Sequence, residues 1–314
     1  MNLGTVSIDV PFWAWLVLGA VVAVSLAVDL VGHRGGHGES RKGAVGWSVA
    51  WIGVAGAFTA WMGLQFGGAA AVEFGTAYLI EKSLSVDNLF VFLIIFGTLK
   101  IPQTEQHRVL FWGIFGALVT RGLFIAAGSA MLAAWHGVLY VMGAFLLVTA
   151  ARTLRSPPDA ASEGKLVAFA KRHLPFTPKL VGHQFITVEN GRRVVTPLFL
   201  ALVVIELTDV VFAIDSIPAV FAVSREPFIV YSSNILAVLG LRALYLVLSG
   251  LLDRLAYLRF GLAAVLAFAG GKMLLSGVVH VSGLVSIGIV SSILLVTVIA
   301  SLARSSRARR DLHA

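Results

Sequence analysis

Nine apolar runs, most of them near 20 residues long, dominate this chain. They lie at Phe12–Val31, Ala44–Phe66, Phe74–Leu99, Val109–Ala134, Gly137–Ala151, Pro197–Val223, Ile229–Leu252, Leu258–Val279 and Leu284–Leu302. About 20 such residues, at ~1.5 Å each in a helix, cross the ~30 Å hydrocarbon layer of a bilayer. Within that layer backbone N–H and C=O groups must bond internally, which favours helices for runs of this length. The composition agrees: 58% of the residues are hydrophobic and 13% charged. That balance excludes disorder and nearly any soluble enzyme. The expected fold is an all-α polytopic membrane protein of about nine transmembrane helices. The chain has no cysteine, so a disulfide scaffold, thiolate metal ligands and cysteine catalysis are excluded.

The formal net charge is +8, a basicity that could point to nucleic acid. The distribution of Lys and Arg gives another reason. Loops on one side of the nine-span layout hold 19 of them, the opposite side holds Arg225 alone, and Lys82, Arg121, Arg242 and Lys272 fall inside spans. Lys and Arg gather in cytoplasmic loops. The N-terminus is therefore expected outside and the C-terminus in the cytoplasm, in the cytoplasmic (inner) membrane. The lipid bilayer is the expected partner, and nucleic acid is not. Met1–Asp9 has no Lys or Arg and no small-residue cleavage site follows, so Phe12–Val31 reads as a retained span. The layout divides the chain into an N-terminal membrane half (1–152), a cytoplasmic linker (153–196), a C-terminal membrane half (197–303) and a basic tail (304–314). The linker holds Ser156-Pro157-Pro158-Asp159 and an amphipathic Leu166–Leu174.

The two halves resemble each other. The third span contains Glu81-Lys-Ser-Leu-Ser-Val-Asp87-Asn88-Leu-Phe, and the sixth contains Asp209-Val-Val-Phe-Ala-Ile-Asp215-Ser216-Ile-Pro218. Each places two carboxylates six residues apart, followed by a small polar residue. The next span of each half carries one arginine near its middle, Arg121 or Arg242, three residues before an aromatic. A repeat of three spans is odd in number, so its second copy crosses the membrane in the opposite sense. Inverted repeats with binding groups near the midplane are the build of many secondary transporters.

Glu81, Asp87, Glu206, Asp209 and Asp215 all fall inside spans. An unpaired charge at a helix centre costs about 3 kcal/mol on insertion scales, so something must offset the five. Lys82, Arg121 and Arg242 are the charge-balancing candidates, and with all eight ionised a deficit of two charges remains, which a divalent cation would match. Glu206 and Asp209 share a helix face. Pro218 frees a carbonyl of the preceding turn. With Asn88 these are hard oxygen donors, which suit Mg²⁺, Ca²⁺ and Mn²⁺ better than Zn²⁺ or Cu⁺. The alternative is a structural ion-pair network, Glu81 or Asp87 with Arg121 and Asp209 or Asp215 with Arg242. Asp29, near the end of the first span, is a further acidic candidate. His33, His37, His136 and His280 sit at span ends or in loops and read as interfacial.

The acidic stretch from Glu81 through Phe92 and that from Glu206 through Phe221 resemble the two signatures of the TerC family of integral membrane proteins. Phe111 to Arg121, Ser233 to Arg242, Gly270-Gly-Lys-Met and Ser48 to Trp51 fit as well, and the likeness runs from about Asp29 to Leu302. The family takes its name from a tellurite-resistance cluster, includes an alkali-induced member linked to manganese export, and is grouped with LysE-type exporters. The resemblance implies that Glu81, Asp87, Asn88, Glu206, Asp209 and Asp215 handle the metal, with Asp29 matching the acidic residue of the family's first span. It implies export of a cation; the oxygen donors put Mn²⁺ first and Ca²⁺ second, no permanently bound cofactor is expected, and protons that exchange on a carboxylate are a candidate coupling ion. A non-enzymatic transporter is the leading reading. The alternatives are a membrane component of a tellurite-resistance or metalation complex and an intramembrane aspartyl enzyme.

Overall fold

A computed structural model describes residues 8–32, 41–135, 137–155, 160–189, 191–248, 257–279 and 281–311. His33, His37, His136 and His280, read above as interfacial, and the Ser156 to Asp159 segment lie outside the described residues.

Among those residues the chain forms eleven helices and one hairpin: α1 Phe12–Gly32, α2 Arg41–Phe66, α3 Gly68–Thr98, α4 Gln103–Ala134, α5 Val138–Arg155, α6 Ala160–His173, β1 Ile186–Glu189, β2 Arg192–Val195, α7 Pro197–Phe221, α8 Pro227–Leu239, α9 Leu241–Leu248, α10 Leu258–Leu274 and α11 Gly283–Asp311. The all-α polytopic architecture is the one expected. Each of the nine apolar runs falls on a helix or, in one case, on a bent pair. Six helices, α1, α2, α4, α5, α7 and α11, are long and apolar enough to cross a membrane, and the α8–α9 pair makes a seventh if it is one span. α3 has the length, at 31 residues, but carries Glu73, Glu81, Lys82 and Asp87. α10 has 17 residues.

Prolines mark helix starts. Pro102 caps α4, and Pro197 and Pro227 open α7 and α8, positions where a missing N–H costs no intrahelical bond. Pro218 is different, since α7 runs through it without a break, leaving the Ile214 carbonyl without its helical partner.

The Ile229–Leu252 run, expected as one span, is two helices meeting at 41°. The break falls at Gly240, where a Cβ would lie 2.8 Å from Lys82 Nζ and 3.0 Å from Trp51 Cβ. A side chain there would make the Lys82 ammonium swing aside and Trp51 of α2 give by a few tenths of an ångström.

Of the six long apolar helices α7 and α4 are the most enclosed, with half of the apolar window of α7 buried against 17% for α11. α1, α2 and α11 expose rows of large apolar side chains such as Val24, Ile52 and Leu295, as lipid-facing helices do. α3 packs most heavily on α8, α4 on α7, and α5 on α10.

Residues 153–196 hold more than the amphipathic stretch expected there. α6 starts six residues earlier and packs on α3 and α7. β1 and β2 pair antiparallel, Ile186 with Val195 and Glu189 with Arg192. The segment is tied to the membrane part at the start of α4: the His183 ring lies 2.8 Å from the Glu105 carboxylate, and Arg108 Nη1 donates to the His183 carbonyl at 3.1 Å.

Candidate functional site

The polar interior of the membrane part is built from facing sides of α3, α4, α7 and α8. Its centre is Arg121, only 1% exposed. The guanidinium holds Asp209 in two bonds, Nε to Oδ2 at 3.1 Å and Nη2 to Oδ1 at 2.9 Å. Nη1 donates to Glu81 Oε1 and, at 2.8 Å, to Asn234 Oδ1. This planar fork matched to a carboxylate is the geometry that distinguishes arginine from lysine. Glu81, Asp209 and Asn234 are themselves buried. One positive and two negative groups leave the cluster with formal charge −1. Glu81 Oε2 and Asn234 Nδ2 have no hydrogen-bond partner among the described residues.

The pairing differs from the two separate ion pairs that the sequence suggested. Arg121 takes one carboxylate from each half. Arg242 Nη1 donates to Asp29 Oδ2 at 3.0 Å and contacts neither Asp209 nor Asp215. Asp209 and Arg242 line the same gap of about 10 Å³, room for about one water. Asp29 is thus placed on α1 as the acidic partner of Arg242. Lys82 faces a carbonyl: its ammonium donates to the Ala237 oxygen at 3.0 Å. Ala237 lies in the last turn of α8, where the break at Gly240 leaves helical carbonyls without their usual N–H donors.

Glu206 lies on α7 one turn before Asp209, with its carboxylate against Gly116 of α4, where any Cβ would overlap it. Its Oε2 is buried without a hydrogen-bond partner among the described residues. Asp215 is elsewhere, six residues further along α7. Thr149 Oγ1 of α5 donates to Asp215 Oδ1 at 3.1 Å. A cavity of about 150 Å³ adjoins them, lined also by Asn88, Thr153 and Ser216. The Asp87 side chain lies outside the described residues. Among those described, no three Asp, Glu or His groups gather as a metal cluster. The six candidates were read from sequence as one set; the five whose side chains are described are divided: Glu81 and Asp209 at Arg121, Glu206 against α4, Asn88 and Asp215 at the cavity.

Asn234, Thr149, Thr153 and Ser216 were not among the candidates. Asn234 carried a signal, as an amide in the middle of an apolar helix whose buried polar groups need partners.

Comparison with known proteins agrees with the family suggested by the acidic motifs. A family model described as "Integral membrane protein TerC family" matches residues 66–310. The chain is 47% identical to STKORF319, an uncharacterized membrane protein of Myxococcus xanthus, over 94% of this chain and 93% of that one. It is 42% identical to Alx of Escherichia coli (strain K12), provisionally named a membrane-bound redox modulator, over 91% and 92% of the two chains. An uncharacterized membrane protein of Rickettsia felis is 36% identical over 93% of this chain and 98% of its own. No solved structure matches. Matched over most of its length, the chain belongs to the TerC family of integral membrane proteins.

Proposed function

We propose that the protein is a secondary transporter that exports a divalent metal cation, Mn²⁺ first, across the cytoplasmic membrane. The observation that carries this reading is the set of buried carboxylates on α3 and α7, inside the membrane part, with oxygen donors around them and neither cysteine nor deep histidine. Intramembrane acidic groups are costly and mark ion pathways by default. In the transport cycle the carboxylates bind the cation, and one of them exchanges a proton to favour release outward. The two halves rock about the site. The helix packing supports such a repeat: a two-fold relation that exchanges α3 with α7 and α4 with α8 converts the α3–α8 contact into the α7–α4 contact, and both are extensive.

An aspartyl dyad is disfavoured because Asp209 is engaged by Arg121 on both oxygens, whereas a dyad needs two carboxyls sharing a proton. A role in a tellurite-resistance or metalation complex leaves the buried charges without a purpose. The name given to Alx invites a redox reading, but a chain with no cysteine cannot use its own thiols for it. The test is Mn²⁺ flux in proteoliposomes containing wild type, Asp87→Asn or Asp215→Asn. Flux in the wild type that is lost in both variants supports export. Normal flux in both variants, or none in the wild type, refutes it.

A further inference from the structure

Of the acidic candidates described above, Asp215 is the one that lines the cavity of about 150 Å³. Glu81 and Asp209 are held by Arg121, Asp29 by Arg242, and Glu206 rests against the backbone of α4. Asp215 has no salt bridge among the described residues; its hydrogen bond comes from a neutral hydroxyl, Thr149 Oγ1. Arg152, on the next stretch of α5, acts on it electrostatically without forming an ion pair.

The cavity beside it, about 150 Å³, is walled by α3, α5, α7 and α10. Its polar lining is oxygen-rich: the Asp215 carboxylate, the Asn88 amide, and the hydroxyls of Thr149, Thr153 and Ser216. Leu84 of α3, Phe212 of α7 and Leu262 and Leu266 of α10 supply the apolar lining. Thr149 and Thr153 are four residues apart on α5 and so share a face. Ser216 is 3% exposed, and its hydroxyl has no partner among the described residues. A space of this size with these polar groups on its wall holds several waters. An unpartnered buried hydroxyl beside a carboxylate without a contacting cation is a donor set lacking its acceptor of electron pairs.

We infer that this cavity is a binding chamber for a hard, partly hydrated divalent cation, in which Thr149, Thr153 and Ser216 join Asp215 and Asn88 as oxygen ligands. The inference rests on the transport reading and narrows it, moving the cargo from the Arg121 cluster, where a guanidinium already occupies the carboxylates, to the α5 side of α7. Among the described residues one charged ligand stands among neutral oxygens, a set that binds weakly, and a transported ion must leave as well as enter. Hydroxyl and amide oxygens fit Mn²⁺ or Ca²⁺ and offer nothing to a soft metal.

The test uses the full chain purified in detergent and Mn²⁺ alone as the probe. Bound Mn²⁺ is read from loss of the aqueous-ion signal in electron paramagnetic resonance, alongside the thermal unfolding of each variant. Thr149→Val and Ser216→Ala should each weaken binding by about tenfold or more, the loss typical when a metal site's supporting group is removed. Thr149→Ser, which restores the hydroxyl, should recover it, and all three should unfold within the wild-type range. Wild-type affinity in both Thr149→Val and Ser216→Ala overturns the chamber while leaving transport intact. A wild type that neither binds nor moves Mn²⁺ overturns the transport reading and the chamber with it.

Discussion

Arg121→Ala removes a guanidinium that makes four hydrogen bonds, two to Asp209 and one each to Glu81 and Asn234. The cluster charge goes from −1 to −2, with both carboxylates still buried. Breaking a buried pair from one side costs about 3–5 kcal/mol, a large part of the roughly 5–15 kcal/mol that holds a typical domain together. Asp209→Asn has the opposite electrostatic effect: it brings the cluster to zero, with Arg121 still bound to Glu81. That variant should therefore be far milder for folding. Adding Asp209→Asn to Arg121→Ala should recover part of the loss, since contacting residues couple by about 0.5–3 kcal/mol. The assay is membrane yield together with the fraction remaining monodisperse after heating in detergent, measured side by side for the two single variants and the double. If Arg121→Ala matches wild type, or Asp209→Asn is the worse of the two, the reasoning is refuted and the guanidinium is not what makes the buried acids tolerable.

Asp87→Ala and Asp215→Ala should each abolish protection of a Mn²⁺-stressed host while the protein still inserts; protection by either variant would contradict the assignment. Titration calorimetry should rank Mn²⁺ ahead of Ca²⁺ and both ahead of Mg²⁺, which sheds its water reluctantly, with no special preference for Zn²⁺. Binding should weaken as pH falls, because protons and metal compete for carboxylate oxygens; tight, pH-independent Zn²⁺ binding would count against an oxygen site. At Glu226, which caps α8 outside the spans, burial raises the carboxyl pKa above its ordinary value, partly opposed by the backbone N–H groups of Ile8 and Phe228. A raised folded value means its contribution is fully present below the ordinary glutamate range and is lost as pH rises through the folded value. Glu226→Gln should accordingly raise thermal stability at pH 7 relative to wild type and do so less at pH 4, and an equal effect at both values would exclude this cause.

The helices were legible because apolar length alone dictates them in a bilayer. The acids and arginines were legible because charge inside such a run is conspicuous. Their pairing was not. Arg242 reaches Asp29 across 213 positions, and which arginine meets which acid depends on how helices cross, which no local pattern encodes. The bend at Gly240 was hidden because Ile229–Leu252 is apolar on both sides of it. Thr149 was hidden for another reason. Threonines in spans commonly bond their own preceding turn, as Thr59, Thr76 and Thr208 do here, so a further one drew no notice. The hairpin did leave a mark: Asn190-Gly191 between Ile186–Glu189 and Arg192–Val195 is a strong two-residue turn pattern. Its polar, proline-bearing surroundings read as a linker and mask that pattern.

The bonds of Arg121 tie together four helices: α3 through Glu81, α4 through itself, α7 through Asp209 and α8 through Asn234. Such bonds tolerate only a few tenths of an ångström before they weaken. A slide of one helix past another by a turn is ~5.4 Å. Gradual shear between the halves is thus impossible while the guanidinium is seated: either the four helices travel as one rigid block against their neighbours, or the whole knot lets go at once. The protein would then pass between discrete postures, with a single side chain as the latch.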